Sequence, residues 1–228
     1  MARGYDFKDD QQVREFLRDV ETEYQFQCLH EKEADGCHRL AEFRETIKRD
    51  VASAIPLYKE NCESKNYSKS CFHYAQCLLT GKGTPDKKHD VISALKFYEK
   101  SCDLGHAKGC LVSAQLRLSP DVGAERNPEK AIVHFSKACS LKDGEACFKL
   151  SSMYLTGQLV DKDLMQAYQL AKAGCELDHF MACNNLSLMY RHGQGADKNL
   201  VMADQARQKA VNLSVDEAKR RPSLIMNQ

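Results

Sequence analysis

The sequence predicts an all-α protein, an α-solenoid of about five helix-turn-helix repeats clamped by disulfides. Two observations predict this fold. Cysteines recur in evenly spaced couples, and the segments on either side of each couple carry apolar residues at helical spacing. The chain has 228 residues, which is long enough for such an array and for a sizeable apolar core.

The cysteine couples define the repeat. Ten of the eleven cysteines form five local couples, in which the two members lie 8 or 9 residues apart. The first members of successive couples lie 34, 40, 37 and 36 residues apart. A short spacing nested inside a longer one is typical of a repeat array. The couples are Cys28/Cys37, Cys62/Cys71, Cys102/Cys110, Cys139/Cys147 and Cys175/Cys183, and Cys77 is left over.

Three interpretations of the couples compete. They are disulfides, metal ligands, or small apolar side chains in the core. Zinc sites usually place two cysteines two to four residues apart, and the sequence contains no C-x-x-C. Paired recurrence in five repeats is unusual for residues that only fill space. The pattern therefore favours one disulfide per repeat, with Cys77 as a free thiol that fills an apolar position.

Each couple is flanked by two predicted helices. The position four residues after the second cysteine is always small, which lets the next helix approach closely. These residues are Ala41, Ala75, Ala114, Ser151 and Ser187. The position four residues before the first cysteine is apolar, and it is occupied by Tyr24, Tyr58, Tyr98, Phe135 and Ala171. Steps of four residues keep each column on one helical face.

Glycine and proline predict several helix ends. Gly81, Gly157 and Gly193 follow three of the second helices, where a residue that tolerates positive φ ends a helix. Asn127 and Pro128 predict a helix start, since proline at the first helical position loses no hydrogen bond. Pro56 lies inside a predicted helix and should kink or shorten it.

The repeat pattern sets the expected domain boundaries. We expect a flexible N-terminus over 1–8, an α-solenoid over 9–214 and a frayed tail over 215–228. Within the solenoid, the repeat units are roughly 9–48, 49–83, 84–122, 123–158 and 159–195, followed by a capping helix over 196–214.

Several function classes are disfavoured. The net charge of +1 argues against nucleic acid as a partner, and no apolar run approaches the roughly 18 residues of a membrane span. The sequence has no Gly-rich nucleotide loop, no GxSxG and no HExxH, so we predict no catalytic residue and no metal site. The first residues, MARGYDFKDDQQV, have no apolar segment typical of a secretory signal, although five disulfides require an oxidising compartment.

The repeat resembles the Sel-1-like repeat, a relative of the tetratricopeptide repeat. The clearest copy in this chain is ACFKLSSMYLTGQLVDKDLMQAYQLAKAGCELDHFMAC. Among disulfide-clamped members, the chain is more similar to the mitochondrial cytochrome c oxidase assembly group than to the secreted bacterial cysteine-rich group. The segments that carry this resemblance are Asp6-Phe7, QVREFL, CLHEKEADGCHRL, TGKG and ACNNLSLMY.

The resemblance implies a function that the repeat pattern alone does not indicate. It implies a factor of the mitochondrial intermembrane space that helps to assemble respiratory complex IV as a partner-binding scaffold. Its partners would be complex IV assembly and copper-delivery factors and the disulfide-relay import machinery, and we expect a monomer. A first alternative is a haem-binding thiol-disulfide reductase acting on copper-delivery proteins. A second is a secreted repeat protein with weak β-lactam binding.

Haem would require axial His, Met or Cys ligands, and the sequence does not single any out. His134 occupies a helix column otherwise filled by apolar residues, so we predict a hydrogen-bonded core histidine rather than a ligand. His106 and His179 lie in turns inside cysteine couples, where we expect exposure to solvent. Met153 and Met189 follow a core column, which favours packing. The cofactor-binding residues thus stay unassigned.

Overall fold

A computed structural model describes residues 4–83, 88–119 and 125–220. Those residues form eleven α-helices and contain no β-strand, so the all-α repeat fold is confirmed. No helix among them is long and apolar enough to cross a bilayer. The chain divides into two units, residues 1–106 and 107–228, which are described separately.

The first unit contains five helices, each packed against the next along the chain. They are α1 Asp10–Leu29, α2 Ala34–Thr46, α3 Val51–Lys65, α4 Ser68–Thr80 and α5 Val91–Asp103. The aromatic column of the repeat lies in the core, where Tyr58 and Tyr98 are fully buried. Ala41 of α2 packs in one cluster with Ala54 and Tyr58 of α3, so the small residue gives the next helix room to approach.

The second unit contains six helices: α6 Ala107–Leu118, α7 Pro128–Ser140, α8 Gly144–Thr156, α9 Leu164–Glu176, α10 Phe180–His192 and α11 Leu200–Arg220. Here serine fills the small column twice. Ser151 Oγ donates to the Ala167 carbonyl at 2.7 Å, and Ser187 Oγ donates to the Ala203 carbonyl at 2.7 Å. A buried hydroxyl thus binds the backbone of the following helix, and its hydrogen bond offsets the cost of burying it.

Side-chain caps and glycines determine where several helices begin and end. The side chains of Asp50, Asp90, Asn127 and Asp163 accept a backbone N–H at the starts of α3, α5, α7 and α9. Gly81, Gly157 and Gly193 end α4, α8 and α10 in the left-handed conformation, as the sequence predicts. Pro128 occupies the first turn of α7, which is also as predicted.

Three features bear on the expected helix ends and domain boundaries. Helix α3 continues through Pro56 to Lys65, so the proline does not shorten the helix. Helix α11 continues to Arg220, so residues 215–220 are helical rather than frayed, while 221–228 lie outside the described residues. Near the N-terminus, Tyr5 and Phe7 both make edge-to-face contacts with Phe16.

Candidate functional site

The disulfide clamps join consecutive helices at each short turn. The S–S distances are 2.15 Å for Cys28–Cys37, 2.06 Å for Cys62–Cys71, 2.01 Å for Cys139–Cys147 and 2.08 Å for Cys175–Cys183. Cys102 and Cys110 are disulfide-bonded as well. The chain thus carries one clamp at the corner of each repeat.

Cys77 is the cysteine that carries no disulfide among the described residues. It is 3% exposed, and burial raises the pKa of its thiol to about 11. Thiol chemistry requires an accessible thiolate. Cys77 therefore acts as an apolar side chain of the α4 core face.

Lysines contact three of the clamps, and one contact differs from the others. Lys100 Nζ donates to the Cys62 carbonyl at 2.8 Å, and Lys209 Nζ donates to the Cys175 carbonyl at 2.8 Å. At the first clamp, Lys65 Nζ of α3 instead contacts the Cys37 sulfur at 3.1 Å. At the first clamp the lysine therefore lies against a sulfur atom, whereas at the second and fifth clamps it binds a carbonyl oxygen.

A buried polar cluster lies beside the first clamp. Asn61 Nδ2 donates to the Ala34 carbonyl and to Ser70 Oγ, both at 2.8 Å. Ser70 Oγ lies 3.1 Å from His38 Nδ1, within hydrogen-bonding distance of the ring. Burial lowers the pKa of His38 to about 4. The cluster therefore holds a neutral imidazole.

Asn61 also carries an unpaired acceptor. Its Oδ1 atom is buried and has no hydrogen-bond partner among the described residues. The residue lines a cavity of about 320 Å³ together with both cysteines of the first clamp. Sequence reasoning missed this site, because Asn61 belongs to no repeating column.

An apolar groove of about 670 Å³ runs along α7, α8 and α9; we call it the α7–α9 groove. Its apolar lining consists of Ile132, Val133, Leu150, Tyr154, Met165 and Leu170. Val133 is 63% exposed and Met165 is 59% exposed. Serine and glutamine side chains and Lys137 complete the lining. An apolar centre among polar groups is typical of a protein-binding surface.

The predicted roles of the histidines are partly confirmed. His134 is buried, and its Nδ1 donates to Ser113 Oγ at 2.8 Å while the serine donates to the Cys110 carbonyl, so it is a hydrogen-bonded core histidine. The expectation that His106 and His179 are exposed is wrong. Both are half-buried, because each ring packs against a phenylalanine of α4 or α8.

The environment of His179 shows whether its ring can serve as an axial haem ligand. It lines a cavity of about 590 Å³ with Phe148, Phe180 and Met181, and Glu145, Lys149 and Glu217 also line this cavity, so its surroundings are mixed. However, its Nδ1 accepts the Ala182 N–H at 3.3 Å, which places the ring proton of the neutral form on Nε2. Axial ligation needs a lone pair on Nε2, so His179 in this arrangement does not fit as an axial ligand. Met189 is fully buried, as expected for packing.

Comparison with known proteins identifies the repeat. A family model described as the Sel1 repeat matches residues 68–106, 112–143, 144–179 and 180–203, which together make up more than half of the chain. The chain belongs to the Sel1 repeat family. The Cys139–Cys147 and Cys175–Cys183 clamps each join one matched segment to the next, whereas the first clamp precedes the first matched segment.

Curated relatives and a solved structure agree with this assignment. The chain is 36% identical over 183 residues to cytochrome c oxidase assembly factor 7 of Xenopus tropicalis, covering 77% of each protein. It is 33% identical over 162 residues to the Homo sapiens protein of that name, covering 69% of each. A Sel1 repeat protein from Oxalobacter formigenes superposes with a TM-score of 0.74 at 18% identity, over 90% of this chain and 85% of that one. The likeness to the solved structure shows the fold alone.

Proposed function

We propose that this protein assists the assembly of respiratory complex IV in the mitochondrial intermembrane space, as a scaffold that binds protein partners. The observation that carries the proposal is its similarity, over 69–77% of the chain, to proteins named cytochrome c oxidase assembly factor 7. The clamps support the compartment, since disulfides persist where thiols are oxidised.

The α7–α9 groove is the proposed partner surface. Repeat arrays bind partners through extended surfaces formed by neighbouring repeats. Val133 and Met165 expose large apolar areas from two adjacent helices, and covering such areas with a partner segment is favourable. We expect the partner segment to present apolar side chains, because most of the groove's lining is apolar and its charged lining residue is Lys137.

Genetic complementation tests the function. Cells that lack this protein should contain less complex IV on native gels and show lower cytochrome c oxidase activity. The intact protein should restore both. The double variant Val133→Asp/Met165→Asp should restore less than half of each, because desolvating two carboxylates opposes docking of an apolar segment. Normal complex IV in the deleted cells would contradict the proposed function.

The chain offers a matched control for the groove. Ile92 lies ten residues before Cys102, as Met165 lies ten residues before Cys175, and it is 70% exposed on α5. Ile92→Asp should complement as well as the intact protein. If Ile92→Asp fails to the same extent as Met165→Asp, the defect is general and the assignment of the groove is wrong.

The compartment has a separate test. In isolated mitochondria, added protease should degrade the protein only after the outer membrane is ruptured, while a matrix marker stays intact. The ten clamp cysteines should resist alkylation unless a reductant is added first. Protection that persists after rupture of the outer membrane would place the protein in the matrix and contradict the proposed location.

A further inference from the structure

One cavity of the second unit brings aromatic rings and carboxylates together. It has a volume of about 590 Å³ and is lined by residues of α8, α10 and the last turns of α11; we call it the α8–α11 cavity. Such a volume lies within the range of roughly 300–1,000 Å³ that small ligands occupy. The cavity can therefore hold one long side chain together with the backbone next to it.

The α8–α11 cavity is separate from the α7–α9 groove. Both surfaces use residues of α8, but the groove is lined by Leu150 and Tyr154, whereas the cavity is lined by Glu145, Phe148 and Lys149. With 3.6 residues per helical turn, Leu150 lies about 200° around the helix from Phe148. A ligand in the cavity and a partner segment in the groove therefore contact different faces of α8.

Three aromatic rings lie side by side at the cavity. The ring centroids of Phe148 and His179 are 5.1 Å apart, and those of His179 and Phe180 are 6.0 Å apart. Both phenylalanines are half-buried, so part of each ring stays open to a ligand. The face of an aromatic ring attracts a cation through its quadrupole. The rings therefore favour a positively charged ligand.

Negative charge prevails around these rings. The carboxylates Glu145, Asp143 and Glu217 act electrostatically on His179, against the cation Lys149. Lys149 Nζ lies 3.5 Å from Glu145 Oε1, so its charge already has a partner. Burial lowers the pKa of His179, so the ring is neutral and adds no positive charge. The charge of the cavity therefore also favours a cation.

We propose that the α8–α11 cavity binds an arginine side chain that an extended segment of a partner protein presents. A guanidinium group stacks on aromatic rings through its plane and donates to carboxylates at its edge. Phe148 and Phe180 offer the rings, and Glu217 offers a carboxylate. His179 keeps its proton on Nε2, because Nδ1 accepts the Ala182 N–H, and this donor suits a main-chain carbonyl of the segment.

A neighbouring cavity fits the rest of the segment. It has a volume of about 480 Å³, shares Phe148 and Lys149 with the α8–α11 cavity, and is also lined by Leu118, Phe135 and Met153. Because the two cavities share residues, a segment that leaves one can continue into the other. We therefore expect an apolar side chain close to the arginine. The inference does not depend on the proposed role in complex IV assembly.

Binding of synthetic peptides tests the site. The probe is the acetylated and amidated peptide Leu-Ala-Arg-Ala-Leu, in which the leucines and the arginine lie on one side of an extended chain. Its control carries citrulline, which has nearly the same shape but no charge, in place of arginine. Calorimetric titration of the intact oxidised protein should show at least about tenfold tighter binding of the arginine peptide, because hydrogen bonds between charged groups are the stronger ones.

Three variants locate the binding. Glu217→Gln should weaken binding of the arginine peptide roughly tenfold and leave the citrulline peptide unchanged. Phe180→Leu keeps an apolar side chain but removes the ring, and it should weaken the arginine peptide several-fold. Glu129→Gln removes an exposed carboxylate of α7 outside the cavity and should leave both affinities unchanged.

Several outcomes would overturn the proposal. One is equal affinity of the intact protein for the two peptides, and another is no binding of either at concentrations up to about 1 mM. It is equally overturned if a folded Glu217→Gln protein keeps the full preference for arginine. A loss in Glu129→Gln as large as that in Glu217→Gln would show a general effect of net charge and would also contradict the site.

Discussion

Two buried histidines show how a single residue is fitted into this core. His134 is hydrogen-bonded to Ser113 and His38 to Ser70, so each ring has a serine as its partner. His134 could be predicted from its position in an apolar column, whereas His38 directly follows a clamp cysteine in a position that varies between repeats. The titratable groups that act on His38 are His73, Lys69 and His106, which disfavour its protonation, and Asp35, which favours it.

His38 should make stability depend on acid. Its pKa of about 4 in the folded protein lies below the ordinary value of 6.5, so its contribution is complete above pH 6.5 and is lost as the pH falls through 4. We expect urea unfolding to show a loss on the order of 2–3 kcal/mol from this group between pH 7 and pH 4. His38→Gln should remove that part of the dependence.

A histidine outside the core provides the control for the acid dependence. The exposed His192 ends α10, and His192→Gln should keep the dependence of the intact protein. If His38→Gln and the intact protein lose stability in parallel over this range, His38 is not the group responsible.

Where a clamp joins two helices, the helices approach each other closely at a glycine. A Cβ atom on Gly36 of α2 would lie 2.5 Å from the Cβ and 3.1 Å from the carbonyl carbon of Gln27 in α1. Gly174 in α9 is similarly close, 2.7 Å from the Cβ of Ala182 in α10. Glycine next to a clamp cysteine therefore sets how closely two clamped helices approach.

Gly36→Ala should destabilise the protein despite the better helix propensity of alanine. Alanine gains up to about 1 kcal/mol in a helix, but forcing a methyl group into this contact costs about 1–3 kcal/mol. The net loss should be about 1–2 kcal/mol in urea unfolding monitored by circular dichroism. Glu42→Ala on the exposed face of α2 should change stability by less than about 0.5 kcal/mol. Equal stability of Gly36→Ala and the intact protein would show that α1 moves away freely.

For the whole molecule, the clamps replace part of the stability that a larger apolar core would supply. Closing a loop of about ten residues stabilises a chain by roughly 2.5 kcal/mol in the chain-entropy model. Five such clamps are comparable with the entire stability of a typical domain, about 5–15 kcal/mol.

Reduction should therefore lower the melting temperature strongly. We expect differential scanning calorimetry in strong reductant to show unfolding or a broad transition, where the oxidised protein melts sharply. Cys77→Ser, which removes the thiol that forms no clamp, should respond to reductant in the same way as the intact protein. An unchanged melting temperature after verified reduction would contradict a structural role for the clamps.

Periodicity decided what the sequence could predict. The helices, the small column and the glycine ends recur in several repeats, so each was supported by several copies. Lys65 and Asn61 line the cavity at the first clamp and belong to no repeating column. Their roles depend on contacts that α3 makes with α2. Lys65 follows its nearest cysteine by three residues, whereas Lys100 precedes its own by two, so no column aligns them.

The short reach of the clamps also bears on how the reduced chain acquires its disulfides. In four described clamps the two cysteines are only 8 or 9 residues apart. Each pair can therefore be oxidised as soon as the two helices that it joins have been synthesised and have folded. Oxidation can then proceed from one end of the chain to the other without waiting for distant segments. Cys77 could compete with Cys62 for Cys71 in the unfolded chain. It lies only six residues from Cys71, whereas Cys62 lies nine residues away. Burial of Cys77 in the α4 face removes this competitor once the second repeat has folded.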